Sequence, residues 1–413
     1  MEEHIKILSR MISCNTVSKK NDNKERFDEF HKILEESFPK IYSRLEKINI
    51  DGNIIFKWKG KFNDLKAIAL MNHMDTADVD CGKWDFDPLG GEVIEEYICG
   101  RGAIDTKGPL CSMLIACEEL VKEGFNPNRD IYLMSTRNEE IAGDGGEKLC
   151  LYLKENKIFF ESLLDEGGAI MNPPINGVNG AFAMIGISEK GHIILSLKGE
   201  EENLIKLKES LEKENPFKSR ISDEMIEMLK AFSSKMKFPM NFILKGGEYL
   251  KPILVKSLSK MGKEGADMIK STLKFGEIED KTLKLTIKVS QEDKLLGIME
   301  ILKKKFEEFN IEYIVDYGFK PSKISNIKSK GFNEIGEAIK KIFKEVNIAP
   351  YRMLAGTDSR HFDEITQNTF RFAPLCMKPA DMNMVHGLNE KISIENFEKA
   401  IAFYKEYIKS YTS

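Results

Sequence analysis

Four short, strand-like segments in the first half of the chain each run into a loop that carries a side chain able to bind a metal ion. The segments are Ala67–Met71, Val93–Cys99, Ile131–Ser135 and Phe159–Leu164. The loops after them carry, in the same order, His73, Asp105, Glu140 and Asp165. In open α/β sheets the loops at the carboxyl ends of the strands meet in one crevice, so we expect these side chains to converge.

A fifth side chain of this kind, His386, lies near the C-terminal end of the sequence in the segment His386–Glu390. Imidazole and carboxylate ligands without thiolates are typical of zinc, or of cobalt or manganese, in catalytic sites. Five ligands exceed the number that one catalytic zinc ion normally takes from a protein. Two metal ions ~3.5–4 Å apart that share one carboxylate would use all five and leave room for a water molecule.

Two further acidic residues stand beside these ligands. Neighbouring side chains on an extended segment point in opposite directions, so Glu140 could face a metal ion while Glu139 faces the substrate as a general acid/base. Asp75 follows His73 by two residues and could accept the second N–H of the imidazole, which fixes its tautomer. Each motif alone has a plainer interpretation; Asp165 and the glycines after it, for example, also fit a turn that ends a strand. The occurrence of all of them at strand ends favours a functional site.

The order of the segments predicts an α/β fold in which helices cover a mixed sheet. Strand-like and helix-like patterns alternate over roughly the first 190 residues, as in a parallel sheet covered by helices. The helix patterns of this part are Glu25–Ser37, Gly108–Glu123 and Gly145–Lys154.

A second, smaller domain is predicted from a change of pattern after Gly191. The strand patterns Ile193–Leu197 and Leu283–Val289 are separated by lysine- and glutamate-rich stretches, and the helix pattern Leu295–Phe309 follows. Such an order is typical of an α+β domain, and we expect a ferredoxin-like lid. We therefore predict a catalytic domain of residues 1–189 and 316–413, with the lid domain of residues 190–315 inserted. The helix pattern Phe332–Val346 lies where the chain returns to the catalytic domain.

Composition excludes several classes of protein. The formal net charge of −4 argues against a nucleic-acid-binding protein. No apolar segment approaches the about 20 residues needed to cross a bilayer, so we expect a cytoplasmic protein without a membrane partner. Seven cysteines without any Cys-x-x-Cys pair argue against a disulfide framework.

The ordered motifs resemble those of the co-catalytic di-zinc aminoacylase and carboxypeptidase superfamily. This superfamily includes succinyl-diaminopimelate desuccinylase, acetylornithine deacetylase and di- and tripeptidases. Its motifs are similar to His73-Met74-Asp75, Gly100-Arg101-Gly102, Asp105-Thr106-Lys107-Gly108, Glu139-Glu140 and Asp165-Glu166-Gly167-Gly168. The branch of carboxypeptidase S and N-acyl-amino-acid hydrolases is the most similar. Its features resemble Trp84 with Asp87-Pro88-Leu89, Gly356–Phe362, Arg371-Phe372-Ala373-Pro374 and His386–Glu390.

The resemblance implies a role for each metal ligand. Asp105 would bridge two divalent ions, most in keeping with zinc. His73 and Asp165 would complete one site, and Glu140 and His386 would complete the other.

The resemblance also implies roles for residues around the metal ions. Glu139 would be the general acid/base and Asp75 would orient His73. Arg360 would grip a substrate carboxylate, because a guanidinium forms a bidentate pair with that group. A structural ion pair between Arg360 and Asp358 is the alternative.

The predicted lid departs from the family pattern. The first lid strand of the family usually leads into a Gly-Gly-His-Ser-Ser loop whose histidine stabilises the tetrahedral intermediate, but Lys198–Asn203 contains no histidine. Lys288 stands where the family has an arginine. Losing one oxyanion donor commonly costs ~10²–10³ in turnover. Either His361 or an unrecognised lid group substitutes, or the enzyme is slow, or its substrate does not need the lid histidine.

Two functions remain open at this point. One is metal-dependent hydrolysis of an amide bond, either in a short peptide near its C-terminus or in an N-acyl amino acid. The other is a catalytically weak or inactive relative that binds metal or peptide. The chain would act as a monomer or as a homodimer formed through the lid. The apolar stretch Met228–Leu244, with Phe232, Phe238 and Phe242, lines an acyl pocket or forms lid core.

Overall fold

The computed structural model describes residues 1–19, 25–80, 82–173, 178–237, 240–247, 249–259 and 268–413. The α-helices of these residues are Glu2–Ser13, Glu25–Ser37, Pro39–Arg44, Lys107–Lys122, Gly145–Glu155, Glu201–Lys213, Asp223–Ser233, Met240–Lys245, Lys251–Ser259, Leu295–Glu308, Lys330–Ile342, Pro379–Met382 and Ile394–Thr412. No described helix is long and apolar enough to cross a bilayer.

The strands of the described residues form three sheets. They are β1 Glu46–Ile50, β2 Asn53–Trp58, β3 Ala67–Met71, β4 Val93–Ile94, β5 Tyr97–Cys99, β6 Ile131–Ser135, β7 Phe160–Asp165, β8 Ala169–Met171, β9 Phe182–Glu189, β10 Gly191–Lys198, β11 Thr272–Glu279, β12 Thr282–Val289, β13 Glu312–Phe319, β14 Asn347–Met353, β15 Thr369–Arg371, β16 Cys376–Met377 and β17 Lys391–Ser393.

The largest sheet has the order β1-β2-β6-β3-β7-β15-β9-β8-β16, and β14 also pairs with β9. It is mixed, because β3 runs parallel to β6 and β7 whereas β2 runs antiparallel to β6. Every residue of β3 and β6 is buried, as expected for strands covered by helices on both faces. Leu149 and Leu153 of the helix Gly145–Glu155 pack in the core on this sheet. The predicted α/β architecture is therefore present.

The chain divides into two compact units. The first consists of residues 1–187, 325–348 and 357–413, and the second of residues 188–324 and 349–356. The second unit holds an antiparallel sheet of order β11-β12-β10-β13, with helices between β10 and β11 and between β12 and β13. This order and connectivity are those of a ferredoxin-like fold. Its core is made of strand and helix side chains such as Leu195, Leu285 and Leu302.

The later boundary between the units lies beyond the sequence-based one. The boundary at 315/316 would cut through β13, which pairs with β10 along its length from His192↔Phe319 to Lys198↔Glu312. The pairing keeps β13 in the second unit, whose first stretch ends at residue 324. The alternating pattern of β13 is weak because large side chains such as Ile314 and Val315 are exposed.

The apolar stretch Met228–Leu244 splits between core and surface. Met228 and Phe232 are 2% and 1% exposed in the second unit, whereas Phe242 is 70% exposed. Phe238 lies outside the described residues.

Candidate active site

Three adjacent parallel strands bring most of the predicted site residues to one edge of the main sheet. Strand β3 lies between β6 and β7 and is parallel to both, so the loops that follow all three leave the same edge. His73 stands two residues beyond β3. Glu139 and Glu140 begin a short 3-10 turn after β6, and Asp165 ends β7.

The loop that carries Asp105 does not follow a strand of the main sheet. The predicted single strand Val93–Cys99 is a hairpin of β4 and β5, which belongs to a separate sheet of order β17-β5-β4. The expectation that this loop follows a strand of the main sheet is therefore wrong. The apolar pattern indicated a strand correctly but carried no information about which strand it pairs with.

A buried carboxylate joins the Asp105 loop to the C-terminal loop that carries His386. Glu390 is fully buried, and its Oε1 accepts the backbone N–H groups of Ile104 at 2.7 Å and Asp105 at 3.0 Å. Its Oε2 accepts the N–H of Gly102 at 3.0 Å and a guanidinium N–H of Arg101 at 2.8 Å.

Arg101 also donates to the carbonyl of Gly387 at 2.7 Å. Contacts to Gly387 and Glu390 thus attach the loop that carries His386 to the loop that carries Asp105. Glu390 ends the motif His386–Glu390, but no role for it could be assigned from the sequence, since its partners lie 285 or more positions away.

Asp105 lies between two histidines, one facing each carboxylate oxygen. Its Oδ1 is 3.0 Å from Nε2 of His73, and its Oδ2 is 3.2 Å from Nε2 of His386. Nε2 of His386 is also 2.9 Å from Oε2 of Glu140. His73, Asp105 and Glu140 each offer one ligand atom within 4.8 Å of the others. The structure thus brings together four of the five predicted ligands.

Glu166, not Asp165, joins the carboxylates around His73. Of the described residues, His73, Glu139 and Glu166 form the second group whose ligand atoms lie within 4.8 Å of one another. Oε1 of Glu166 is 3.9 Å from Nε2 of His73. Asp165 belongs to neither group.

The Asp165 carboxylate is held by a neighbouring loop instead. Its Oδ2 accepts the hydroxyl of Thr357 at 2.7 Å and the N–H of Ser359 at 3.2 Å. Behind them, the buried Arg371 donates to the hydroxyl of Ser359 at 3.0 Å. Adjacent side chains at the end of an extended strand point apart, and this alternation was the signal in the sequence that could have separated Asp165 from Glu166.

Asp75 connects the histidine loop to the two glutamates. Its carboxylate accepts the N–H of Glu139 at 3.2 Å and the N–H of Glu140 at 3.0 Å. The hydroxyl of Ser18 donates to it at 2.6 Å. Nδ1 of His73 lies 3.0 Å from the Asp75 carbonyl and 3.3 Å from its Oδ1. A proton on Nδ1 leaves the lone pair on Nε2, which faces Asp105.

The electrostatics of the cluster fit a site for divalent cations. Burial raises the pKa of Glu139 well above its usual value and outweighs the opposing effect of His73. Burial and then the charge of Asp105 raise the pKa of Glu166 in the same way. Oε1 of Glu140 is buried without a hydrogen-bond partner among the described residues. Crowded carboxylates of this kind gain a counter-charge from a metal ion, and nitrogen and oxygen donors suit zinc, cobalt or manganese.

Arg360 and His361 occupy the turn Asp358–Glu364 and belong to neither metal-ligand group. Nη1 of Arg360 donates to the Thr357 carbonyl at 2.7 Å and lies 3.8 Å from Oδ1 of Asp358. This geometry matches the structural ion pair weighed against a substrate contact. The carbonyl of His361 accepts from the thiol of Cys150 at 3.0 Å. Burial, and then the charge of Arg360, lowers the pKa of His361 to about 4.

Known proteins are similar to this chain over most of its length. The family model of peptidase family M20/M25/M40 matches residues 69–410. Probable carboxypeptidase S-like 2 of Dictyostelium discoideum is 29% identical over 415 residues, covering 93% of this chain and 79% of that protein. The N-fatty-acyl-amino acid synthase/hydrolase of Xenopus tropicalis is 27% identical over 436 residues, covering 98% and 85%.

A crystal structure of an M20 family metallo-carboxypeptidase from Sulfolobus solfataricus superposes with a TM-score of 0.72 at 18% identity. The match covers 100% of this chain and 99% of that one. The predicted fold class is thereby confirmed.

Proposed function

Since this chain belongs to peptidase family M20/M25/M40, we propose that it hydrolyses an amide bond in a small substrate with the help of two bound divalent metal ions. The substrate class is a short peptide cleaved near its C-terminus or an N-acyl amino acid. The two named relatives, a carboxypeptidase S-like protein and an N-fatty-acyl-amino acid synthase/hydrolase, support both classes.

The observation that carries the proposal is the position of Asp105 between two histidines. One oxygen faces His73 and the other faces His386, which is the arrangement that a carboxylate shared by two ions needs. We propose that Glu140 and His386 complete one ion's ligands, and that His73 and Glu166 complete the other's. Zinc is the metal most in keeping with these donors, and cobalt or manganese also fit. When bound, such ions supply Lewis acidity and lower the pKa of a water molecule.

Glu139 is the general acid/base of this proposal. It accepts a proton from the attacking water at a carboxylate oxygen and then donates it to the nitrogen of the leaving amine. The raised pKa of its buried carboxyl brings it closer to the operating pH, where such a group transfers protons in both directions. Asp75 holds the backbone N–H of Glu139, which fixes the position from which the carboxyl acts.

A catalytically weak, binding-only protein is the second candidate, and one observation favours it. The connection between β10 and the helix Glu201–Lys213 has no histidine, where the family places the one that stabilises the intermediate. The substrate-carboxylate role of Arg360 also has less support, because its guanidinium donates to the Thr357 carbonyl.

The deciding experiment measures hydrolysis of a panel of dipeptides and N-acyl amino acids by protein stripped with a chelator and then given zinc, cobalt or manganese. Activity that returns with metal and is lost in Glu139→Gln supports the hydrolase. Tight metal binding without turnover of any substrate favours the binding protein. Activity that survives chelation contradicts both.

A further inference from the structure

One segment of the second unit has an excess of lysine over acidic residues. Residues 234–263 contain seven lysines and one glutamate, although the whole chain has a net charge of −4. A local excess of this size indicates an anionic partner. Neither the proposed catalysis nor the metal site uses any residue of this segment.

The described part of the segment also exposes large apolar side chains. Phe242 is 70% exposed, Tyr249 is 89% exposed and Ile253 is 54% exposed. Single exposed apolar residues are ordinary, but here three occur within twelve positions of one another. Backbone hydrogen bonds run from the Gly246 N–H to the Phe242 carbonyl at 3.1 Å and from the Tyr249 N–H to the Gly246 carbonyl at 3.0 Å. Phe242 therefore lies in the helix Met240–Lys245, and Tyr249 follows that helix closely in the chain.

The same segment is anchored by other apolar residues. Leu244, Leu254 and Leu258 are at most 4% exposed. A side chain at Gly247 would meet Ile226 of the helix Asp223–Ser233 at 3.0 Å, so the turn lies directly against that helix. Burial of the leucines already secures the segment. The exposed side chains of Phe242 and Tyr249 are not part of this anchoring and are accessible to a partner molecule.

The lysines of the segment are available to a partner. Lys245 and Lys256 are exposed, and among the described residues no carboxylate pairs with either. Lys251 does pair with Asp223, at 2.7 Å. Exposed aromatic residues at a turn beside unpaired lysines fit the interface of an anionic bilayer, where rings enter the headgroup region and lysines contact phosphate and carboxylate groups.

We propose that the described residues between Lys235 and Ser259, termed the basic tip, dock this protein on anionic phospholipid membranes through Phe242, Tyr249, Lys245 and Lys256. Because N-acyl amino acids are themselves anionic amphiphiles that partition into bilayers, docking would place the enzyme where such substrates collect. Binding to lipid is independent of catalysis, so the proposal stands or falls separately from the proposed hydrolysis.

The test is co-sedimentation of the full chain with vesicles of phosphatidylcholine and phosphatidylserine, beside vesicles of phosphatidylcholine alone. Lys245→Gln with Lys256→Gln should weaken binding to the anionic vesicles about 30-fold, since each lysine near such a surface contributes about 1 kcal/mol, or fivefold. Phe242→Ser with Tyr249→Ser should weaken it at least about tenfold through lost apolar burial.

The matched control is Leu296→Ser with Lys304→Gln. These residues lie on the helix Leu295–Glu308 of the same unit, and Leu296 is 78% exposed. We expect the control to bind vesicles as the parent protein does, and all variants to bind metal as it does.

Three results of the vesicle assay would overturn the proposal. They are absence of binding to anionic vesicles, equal binding to neutral vesicles, and equal loss in the control and tip variants. If the tip variants instead change sedimentation of the protein without vesicles, the patch is an interface between copies of the chain, and the membrane proposal fails.

Discussion

Glu390→Gln is the substitution that most directly tests how the two halves of the metal site are held together. The Glu390 carboxylate accepts four hydrogen bonds, two at each oxygen. Glutamine replaces one oxygen by an NH2 group, which cannot accept, so two of the four bonds are lost. Hydrogen bonds to charged groups contribute about 1.5–3 kcal/mol each, and the expected loss of stability is about 3–6 kcal/mol. The loss of the negative charge beside the buried Arg101 acts in the same direction.

Urea unfolding of the metal-free protein measures this loss as a shift of the midpoint at unchanged slope. The matched control is Glu395→Gln, five residues later, where the carboxylate is exposed and pairs only with Lys399 at 2.6 Å among the described residues. We expect little change in that control. A Glu390→Gln variant within about 1 kcal/mol of it would refute the idea that this carboxylate ties the two loops together.

Four further outcomes are expected. Glu166→Gln should weaken metal binding far more than Asp165→Asn, measured by competition with a chelator, and the reverse order would restore Asp165 as the ligand. Glu139→Gln should lower kcat by about 10²–10⁴ while metal content measured by atomic absorption stays unchanged. Thr357→Val should cost about 1–3 kcal/mol in urea unfolding because the buried Asp165 carboxylate loses a donor, and no loss would contradict that contact. Hydrogen bonds to neighbouring carboxylates raise the pKa of His386 to about 10 in the metal-free protein, so metal binding near neutral pH must release its proton. Affinity should then fall as pH falls below that value, and calorimetry in buffers of different ionisation enthalpy should detect the released proton.

Much of the fold could be predicted from local patterns. The strands Ala67–Met71 and Ile131–Ser135 have the predicted bounds, because buried parallel strands read as continuous apolar runs with polar residues at both ends. The helix Glu25–Ser37 is also as predicted. The predicted helix Phe332–Val346 differs from the observed one, which begins earlier, at Lys330, and ends earlier, at Ile342. Its N-cap is Ser329, whose hydroxyl accepts the N–H of Phe332.

The site was predictable only where chemistry and strand ends coincide. His73, Asp105, Glu140 and His386 could be recognised because each follows an apolar segment or lies in a recognisable motif. The role of Glu390 could not be predicted, although the residue ends the motif His386–Glu390, because a buried carboxylate that accepts backbone N–H groups leaves no periodic pattern in the sequence.

The attachment of the Asp105 loop to Glu390 sets an order of events during synthesis. A nascent chain of 105 residues contains His73, Asp75 and Asp105. It contains neither the second imidazole at His386 nor the Glu390 carboxylate that accepts N–H groups of the Asp105 loop. Both arrive together, within five residues of each other and hundreds of residues later. The site therefore cannot be completed before residue 390 has been synthesised, however early the histidine loop and the Asp105 loop form.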